Sequence, residues 1–298
     1  MQYRIPTKTA GSFTLPVLGL GTWQMGGRYD ADTSRDQQEI DFIGQAFDAG
    51  IRHFDTAEVY AAGHSEELLG QAVKKLPREQ LFITSKVSDE HLKYDQVISA
   101  CRASLKRLGM DYLDLYLVHA PSARGIPLVE TLKAMASLYE SGLIKNLGVS
   151  NFNANLLAEA QATSKYKIVN NQIHFSVGAR GYEEDGTLQY CQENGILVTA
   201  YRPVALGSPK RNRGSFGEDG WNMLSEIASK YQKTAVQVAL NWVMSQVNTV
   251  VLVRTANADH LKENLGSLDF QLSAEDLNIL QDKFPRISTM YPTPSQRA

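Results

Sequence analysis

Cysteine is scarce in this sequence: Cys101 and Cys191 are the only two, and both fall inside predicted helices. They offer no metal-ligand spacing and no disulfide framework, which fits a reducing compartment. Long apolar runs are missing as well, so no segment is expected to span a bilayer. The opening Met1-Gln2-Tyr3-Arg4-Ile5-Pro6 carries no apolar signal region, and a soluble, cytoplasmic protein without a membrane partner is the expectation. Neither sign of charge dominates. With 30 basic and 32 acidic residues well mixed and a formal net charge of -2, no basic face is available for nucleic acid. Motifs are lacking too. Gly19-Leu20-Gly21-Thr22-Trp23-Gln24 begins like a dinucleotide fingerprint but has no third glycine and runs into a loop rather than a helix. There is no P-loop, no zinc-type His/Cys set and no nucleophile elbow, and no metal site is expected.

What the chain does have is a repeated unit. Its 298 residues, 43% hydrophobic, suit one large α/β barrel or two ordinary domains. A helix closes on a glycine, the usual C-terminal cap, and an apolar strand begins within a residue or two. The pattern appears at Phe47-Asp48-Ala49-Gly50-Ile51, Arg107-Leu108-Gly109-Met110, Glu140-Ser141-Gly142-Leu143-Ile144 and Glu193-Asn194-Gly195-Ile196. Strands are expected near 16–20, 51–55, 81–86, 113–119, 145–149, 168–172, 196–201 and 249–253. They read as continuous apolar runs, as parallel strands buried on both faces do. Helices near 35–49, 65–75, 94–108, 127–141, 153–163, 185–194, 234–246 and 257–265 follow them. Each shows one apolar stripe, such as Ile98, Cys101, Leu105 and Leu108. Eight units without a composition break favour a (β/α)8 TIM barrel spanning 1–298 as a single domain.

Several additions to the ring are expected. Residues 2–14 read as an N-terminal hairpin turned at Thr9-Ala10-Gly11, and two extra helices are placed near 220–230 and 273–283. Ser34 with Gln37, and Ser273 with Asp276, have capping spacing. Residues 203–220 read as a long loop whose basic cluster is either a lid over phosphates or a solvated segment. The tail from Pro285 to Ala298 has no pattern.

The candidate chemistry sits at the strands' carboxyl ends, where α/β folds present side chains to ligands. His53-Phe54-Asp55 ends one strand, and Tyr60 lies on the loop beyond it. Lys86 and His119 end two later strands. Singly, each has an ordinary explanation. Asp55 can bond its own loop, Tyr60 is a common loop residue, and a histidine like His119 is more often part of a core. Lys86 is the exception, because a lysine is rarely buried unpaired; Asp55 is its obvious partner. Together the four form a proton-transfer set. A tyrosine titrates near 10, too high for easy exchange at neutral pH. A lysine cation beside it favours the phenolate. Tyr60 then becomes a general acid for a developing alkoxide, and His119 a donor that fixes a carbonyl oxygen. On these residues alone the chain is a proton-transfer or carbonyl-handling barrel enzyme with its cofactor open.

The sequence resembles the aldo-keto reductases over nearly its whole length. The matching stretches are Gly19-Leu20-Gly21-Thr22-Trp23, Phe54-Asp55-Thr56-Ala57 with Tyr60, Ser85-Lys86, Leu117-Val118-His119, Gly148-Val149-Ser150-Asn151-Phe152, Asn171-Gln172, Ala200-Tyr201 and Glu263-Asn264. The resemblance implies a barrel that binds a nicotinamide cofactor without a Rossmann fold, and the catalytic tetrad Asp55, Tyr60, Lys86 and His119. It implies that Ser150, Asn151 and Gln172 bond the nicotinamide carboxamide and that Tyr201 stacks on the ring. It assigns Gly21 and Thr22 to the cofactor as well, and runs the adenosine end along Arg254, Thr255, Glu263 and Asn264. Two residues depart from the family's pattern. His260 stands where a second Arg often meets the 2'-phosphate; a histidine is only partly charged at neutral pH and cannot fork onto phosphate. NADPH is still favoured, with NADH also open. Ala120 stands where many members have Trp, which widens the substrate pocket and leaves Trp23 as its aromatic wall beside His119.

The expected function is NADPH-dependent reduction of small-molecule aldehydes or ketones to alcohols by a monomeric chain. Two rivals are a cofactor-binding regulatory or sensor barrel with little turnover, and a non-redox isomerase using Tyr/Lys acid–base chemistry. The intact tetrad argues against the first and the nicotinamide-contacting set against the second.

Overall fold

The computed structural model describes residues 2–204 and 216–286. It opens with an antiparallel hairpin, β1 (Thr7–Ala10) and β2 (Phe13–Pro16). Eight strands follow: β3 (Leu18–Gly21), β4 (His53–Asp55), β5 (Phe82–Val87), β6 (Leu115–Val118), β7 (Leu147–Ser150), β8 (Ile168–His174), β9 (Leu197–Tyr201) and β10 (Thr249–Val253). All pair in parallel and close into a barrel, β10 completing the ring against β3. The helices are α1 (Asp36–Ala49), α2 (His64–Val73), α3 (Tyr94–Leu108), α4 (Leu128–Glu140), α5 (Ala154–Thr163), α6 (Gly181–Glu184), α7 (Thr187–Glu193), α8 (Gly217–Tyr231), α9 (Ala235–Ser245), α10 (Ala258–Leu265) and α11 (Ala274–Lys283).

Burial on both faces explains the unbroken apolar strands. In β6, Leu115 and Leu117 pack in the cluster that includes the hairpin residues Phe13 and Leu15, while Tyr116 and Val118 join the layer between barrel and helices. The hairpin cluster is built from the first residues of the barrel strands, among them Leu115, Val169, Leu197 and Val250. The hairpin therefore plugs the amino-terminal mouth and leaves the carboxyl-terminal mouth as the open one. The two expected extra helices are present as α8 and α11. Asp276 joins them, accepting from Lys230 and from the Tyr231 hydroxyl at 2.6 Å each. The buried Arg180 guanidinium donates to Leu280 O and Gln281 O, satisfying carbonyls at the end of α11.

Several local expectations need correction. The hairpin turns at Gly11-Ser12, with Thr9 and Ala10 still in β1, because Gly11 supplies the positive φ of 59°. Leu15 and Pro16 consequently belong to β2, and the barrel strand starts at Leu18. Ser34 does not cap α1. Its amide is instead taken by Asp32, which caps a short 3-10 turn ahead of the helix. Ser273 does cap α11, accepting from the Asp276 amide at 3.1 Å. Residues 217–220, expected as loop, are the first turn of α8. The rest of the long loop, 205–215, and the tail from 287 onward lie outside the described residues.

His53 faces the barrel interior two positions below Asp55. Its Nε2 lies 3.0 Å from Thr84 Oγ1, and Nδ1 has no partner among the described residues. Gly19 makes room for it, since a Cβ there would sit 2.6 Å from His53 Nδ1. Burial pushes the imidazole down to about 4 from its usual 6.5, with Asp55 pulling the other way and Lys86 adding to the fall. The folded value lies below the unfolded one, so the unfolded chain takes up the proton first. The stability that neutral His53 contributes is complete above pH 6.5 and is lost as pH falls through about 4. That loss amounts to about 3 kcal/mol. Urea unfolding of wild type and His53→Gln between pH 7 and 4 checks it. Wild type is expected to lose stability more steeply, and parallel curves would remove the assignment.

Candidate active site

Asp55 is the last residue of β4, and Lys86 is the penultimate residue of β5. Both are buried, which an ammonium and a carboxylate tolerate only when paired. Lys86 Nζ lies 2.5 Å from Asp55 Oδ1, 2.7 Å from Thr56 O and 3.3 Å from the Tyr60 hydroxyl. An ammonium has three N–H donors, and these three acceptors use them all. Burial alone would lower the Lys86 pKa. The Asp55 carboxylate, then Tyr60 and the hydrogen bonds, outweigh it and hold the group above its usual 10.5, so it stays charged. The other Asp55 oxygen accepts from Gln172 Nε2 at 2.8 Å across the barrel.

Tyr60 opens a 3-10 turn, Tyr60–Gly63, which leads directly into α2. Its ring stands edge-on between Trp23 and His119, with centroids 4.9 Å and 5.8 Å away. His119 follows β6, and its amide donates to Val87 O at 2.9 Å. The four residues expected to converge do converge: one ion pair on the floor, with the phenol and the imidazole above it.

A second polar group lies across the mouth at the ends of β7, β8 and β9. Asn151, held at a positive φ of 64°, donates from Nδ2 to His119 O at 3.0 Å and to Ser150 Oγ at 3.1 Å. Its Oδ1 accepts from the Tyr201 hydroxyl at 2.8 Å. Ser150 Oγ donates to Gln172 O at 2.8 Å. The Tyr201 ring is stacked on His174, 5.6 Å between centroids.

These groups surround a cavity of about 390 Å³. Of the expected residues, Gly21, Trp23, Asp55, Tyr60, His119 and Ala120 line it on one side. Ser150, Asn151, Gln172 and Tyr201 line it on the other, and Arg254, whose Nε donates to Trp23 O at 2.9 Å, lines it beside Trp23. Lys86 lies beneath the cavity wall, covered by Asp55 and Tyr60. Thr22 is buried and bonded by Ser65 at 2.7 Å, away from the cavity surface. Thr255 turns back onto Asn257, whose amide it accepts at 3.0 Å. His260, Glu263 and Asn264 ride on α10; the first two line a separate shallow cleft with Lys233 and Lys262. Sequence reading missed Arg28, Tyr29, Val59, Ser88, Asp89 and Arg202, all at the cavity wall. Arg202 was within reach, since it directly follows Tyr201 at the same strand end. Among the described residues no group of His, Cys, Asp and Glu could hold a metal ion, and no helix is long and apolar enough to cross a membrane.

The Aldo/keto reductase family model matches residues 17–284. The chain belongs to the aldo-keto reductase family. It is thus an oxidoreductase of the NAD(P)H-dependent type. It is 35% identical over 277 residues to a methylglyoxal reductase of Escherichia coli strain K12, covering 93% of each chain. Among solved structures, it is similar to the thermostable aldo-keto reductase Tm1743 in complex with the inhibitor epalrestat. That match has 41% identity and a TM-score of 0.87, over 93% of this chain and 98% of the other. An aldo-keto reductase from Klebsiella pneumoniae in complex with NADPH superposes with a TM-score of 0.83 at 33% identity, over 96% and 98%.

The cavity of this aldo-keto reductase suits a nicotinamide cofactor on its own geometry. Tyr201 lines it with an aromatic ring, and the amides of Asn151 and Gln172 stand beside Ser150 at its floor. Arg202 and Arg254 bring two guanidinium groups to the same wall, the side-chain chemistry that recognises phosphate.

Proposed function

We propose that this aldo-keto reductase reduces small-molecule aldehydes and ketones to alcohols with NADPH. The observation that carries the reading is the Lys86 ammonium bonded to both Asp55 and the Tyr60 hydroxyl beneath the cavity. Ser150, Asn151 and Gln172 would hold the nicotinamide carboxamide, with Tyr201 against the ring. Arg254, with Thr255, Glu263 and Asn264, would hold the adenosine end. Gly21 would form the wall behind the cofactor, and Thr22, buried and bonded by Ser65, would support that wall from behind. Bound there, the reduced nicotinamide supplies a hydride to the carbonyl carbon. Tyr60 gives its proton to the carbonyl oxygen as negative charge develops on it. Lys86 stabilises the phenolate left behind, and Asp55 keeps that ammonium in place. His119 donates to the same oxygen and sets its approach to Tyr60. The alcohol carries away one hydride and one proton, and Tyr60 recovers its proton from solvent.

Trp23 and Ala120 shape the substrate side, where a small residue after His119 leaves room for bulk. His260 is the weak point for NADPH over NADH, because an exposed imidazole gives a 2'-phosphate less than Arg would. All the proposed groups come from one chain, so a monomer suffices, and the free buried Cys101 and Cys191 suit the cytoplasm.

The test follows NADPH absorbance with a reactive aromatic aldehyde. Turnover is expected, with NADPH preferred to NADH. A protein that binds NADPH yet leaves every aldehyde untouched would be a sensor barrel. One that binds neither nucleotide would sink the redox reading altogether.

A further inference from the structure

Proton transfer from Tyr60 depends on its separation from Lys86, yet the two belong to different segments. Tyr60 stands on a turn after β4, and Lys86 on β5. Side chains alternate along a strand, so Ser85 points away from Lys86, outward to the helix layer. Its hydroxyl donates to Glu66 Oε1 at 2.6 Å. Glu66 is fully buried in the first turn of α2 and accepts on Oε2 from Arg107 Nε, also at 2.6 Å. Arg107 in turn comes from the last turn of α3 and lies flat on Gly63. A Cβ added at Gly63 would fall 2.8 Å from Arg107 Cδ and Nε.

Gly63 closes the turn that Tyr60 opens. Between them, Ala61 and Ala62 both adopt left-handed backbone, with φ of 51° and 53°, and Gly63 follows at 93°. Such a conformation is unfavourable for residues with a Cβ and persists only where the surroundings impose it. On the cavity side the turn is held by Ala61 N donating to Arg28 O at 3.3 Å and by Tyr60 N donating to Ala57 O at 3.0 Å. On the outer side the Arg107 side chain packs directly against Gly63, held there by Glu66. Neither Glu66 nor Arg107 lines the cavity. Stability is a poor reason for the pair, since apolar residues of equal volume usually replace a buried ion pair without loss.

We propose that Glu66 and Arg107 are positioning residues, a brace that fastens the Tyr60 turn to the outer face of β5 and so fixes the Tyr60 hydroxyl on Lys86. The proposal rests on the reductase reading only for its kinetic arm. Arg107→Met alone would leave Glu66 buried and unpaired, so the informative variant is Glu66→Gln/Arg107→Met, which removes both charges. Arg107→Lys keeps a cation on Glu66 but lacks the reach across Gly63.

Two readouts are taken on wild type and each variant. One is the split between kcat and the NADPH dissociation constant. The other is the fluorine NMR signal of Tyr60 in protein labelled with 3-fluorotyrosine, assigned by its loss in Tyr60→Phe. In the double variant kcat is expected to fall between about tenfold and a hundredfold, with NADPH binding unchanged and the Tyr60 signal displaced and broadened. Arg107→Lys should be intermediate on both. A folded double variant with wild-type kcat and an undisturbed Tyr60 signal overturns the brace. Should the double variant not fold, Arg107→Lys decides, and wild-type values for it overturn the proposal equally. If wild type itself shows no turnover, the reductase reading has failed, and the fluorine signal alone judges the brace.

Discussion

Tyr60→Phe is expected to lower kcat with aldehyde substrates by about 10² to 10⁴, the range a positioned general acid supplies. The phenol is the group whose proton can reach a carbonyl oxygen bound between the Tyr60 and His119 rings. Phenylalanine keeps the edge-on packing against Trp23 at 4.9 Å and against His119 at 5.8 Å, so the cavity retains its shape. What disappears is a proton and one of the three acceptors around Lys86 Nζ, the one at 3.3 Å. The stability cost of that bond is about 1 kcal/mol, small beside the kinetic loss. NADPH affinity, measured by titration without substrate, is expected to stay at the wild-type value, because the proposed carboxamide contacts lie across the mouth on Ser150, Asn151 and Gln172. A variant that retains wild-type turnover would remove Tyr60 from the mechanism. One that loses NADPH binding along with activity would show that the ring, not the proton, is what the cavity needs.

The parts of this molecule that sequence made readable are those where burial leaves a pattern. β6 is buried on both faces, so Leu115-Tyr116-Leu117-Val118 is unmistakably a strand, and the change from apolar residues to His119 marks its carboxyl end. The same logic located Asp55 and Lys86, and their pairing follows from the cost of burying either alone. Loops gave no comparable signal. Arg28 and Tyr29 reach the cavity because Gly26 and Gly27, at φ of 72° and 115°, fold the segment after Trp23 back across the mouth. No periodicity announces such a fold. Polar groups with competing partners were misjudged for a different reason. Ser34 looked like a helix cap, but it lies inside a short 3-10 turn that Asp32 caps by accepting from the Ser34 amide at 3.0 Å. Gln172 was read through family likeness as a cofactor contact only, and its bond to Asp55 spans 117 positions of sequence. Glu66 and Arg107 lie on separate helices, where charges ordinarily face solvent. Only the packing of α2 against α3 shows that they meet in the interior.

Lys86→Met carries the largest combined effect on activity and stability. Methionine occupies nearly the same stem without the charge, so the change isolates the ammonium. It leaves Asp55 buried with Gln172 as its remaining side-chain partner at 2.8 Å. Removing one member of a buried pair costs about 3–5 kcal/mol, chiefly through the uncompensated charge left behind, which should lower Tm by roughly 10 °C. The Lys86 pKa is raised in the folded protein, so its contribution is complete below pH 10.5 and is lost as pH rises through the folded value. The gap between wild type and variant should therefore narrow above pH 10.5. Turnover should be nearly abolished at neutral pH, since nothing then stabilises the Tyr60 phenolate that proton donation creates. Stability and catalysis separate in Lys86→Met/Asp55→Asn, which has no buried charge at this position. Calorimetry is expected to show the double variant recovering most of the lost Tm, while the NADPH assay shows no recovery of kcat. If activity returned together with stability, the ion pair would be no more than a fold element, and the proton would have to be managed by other groups at the cavity.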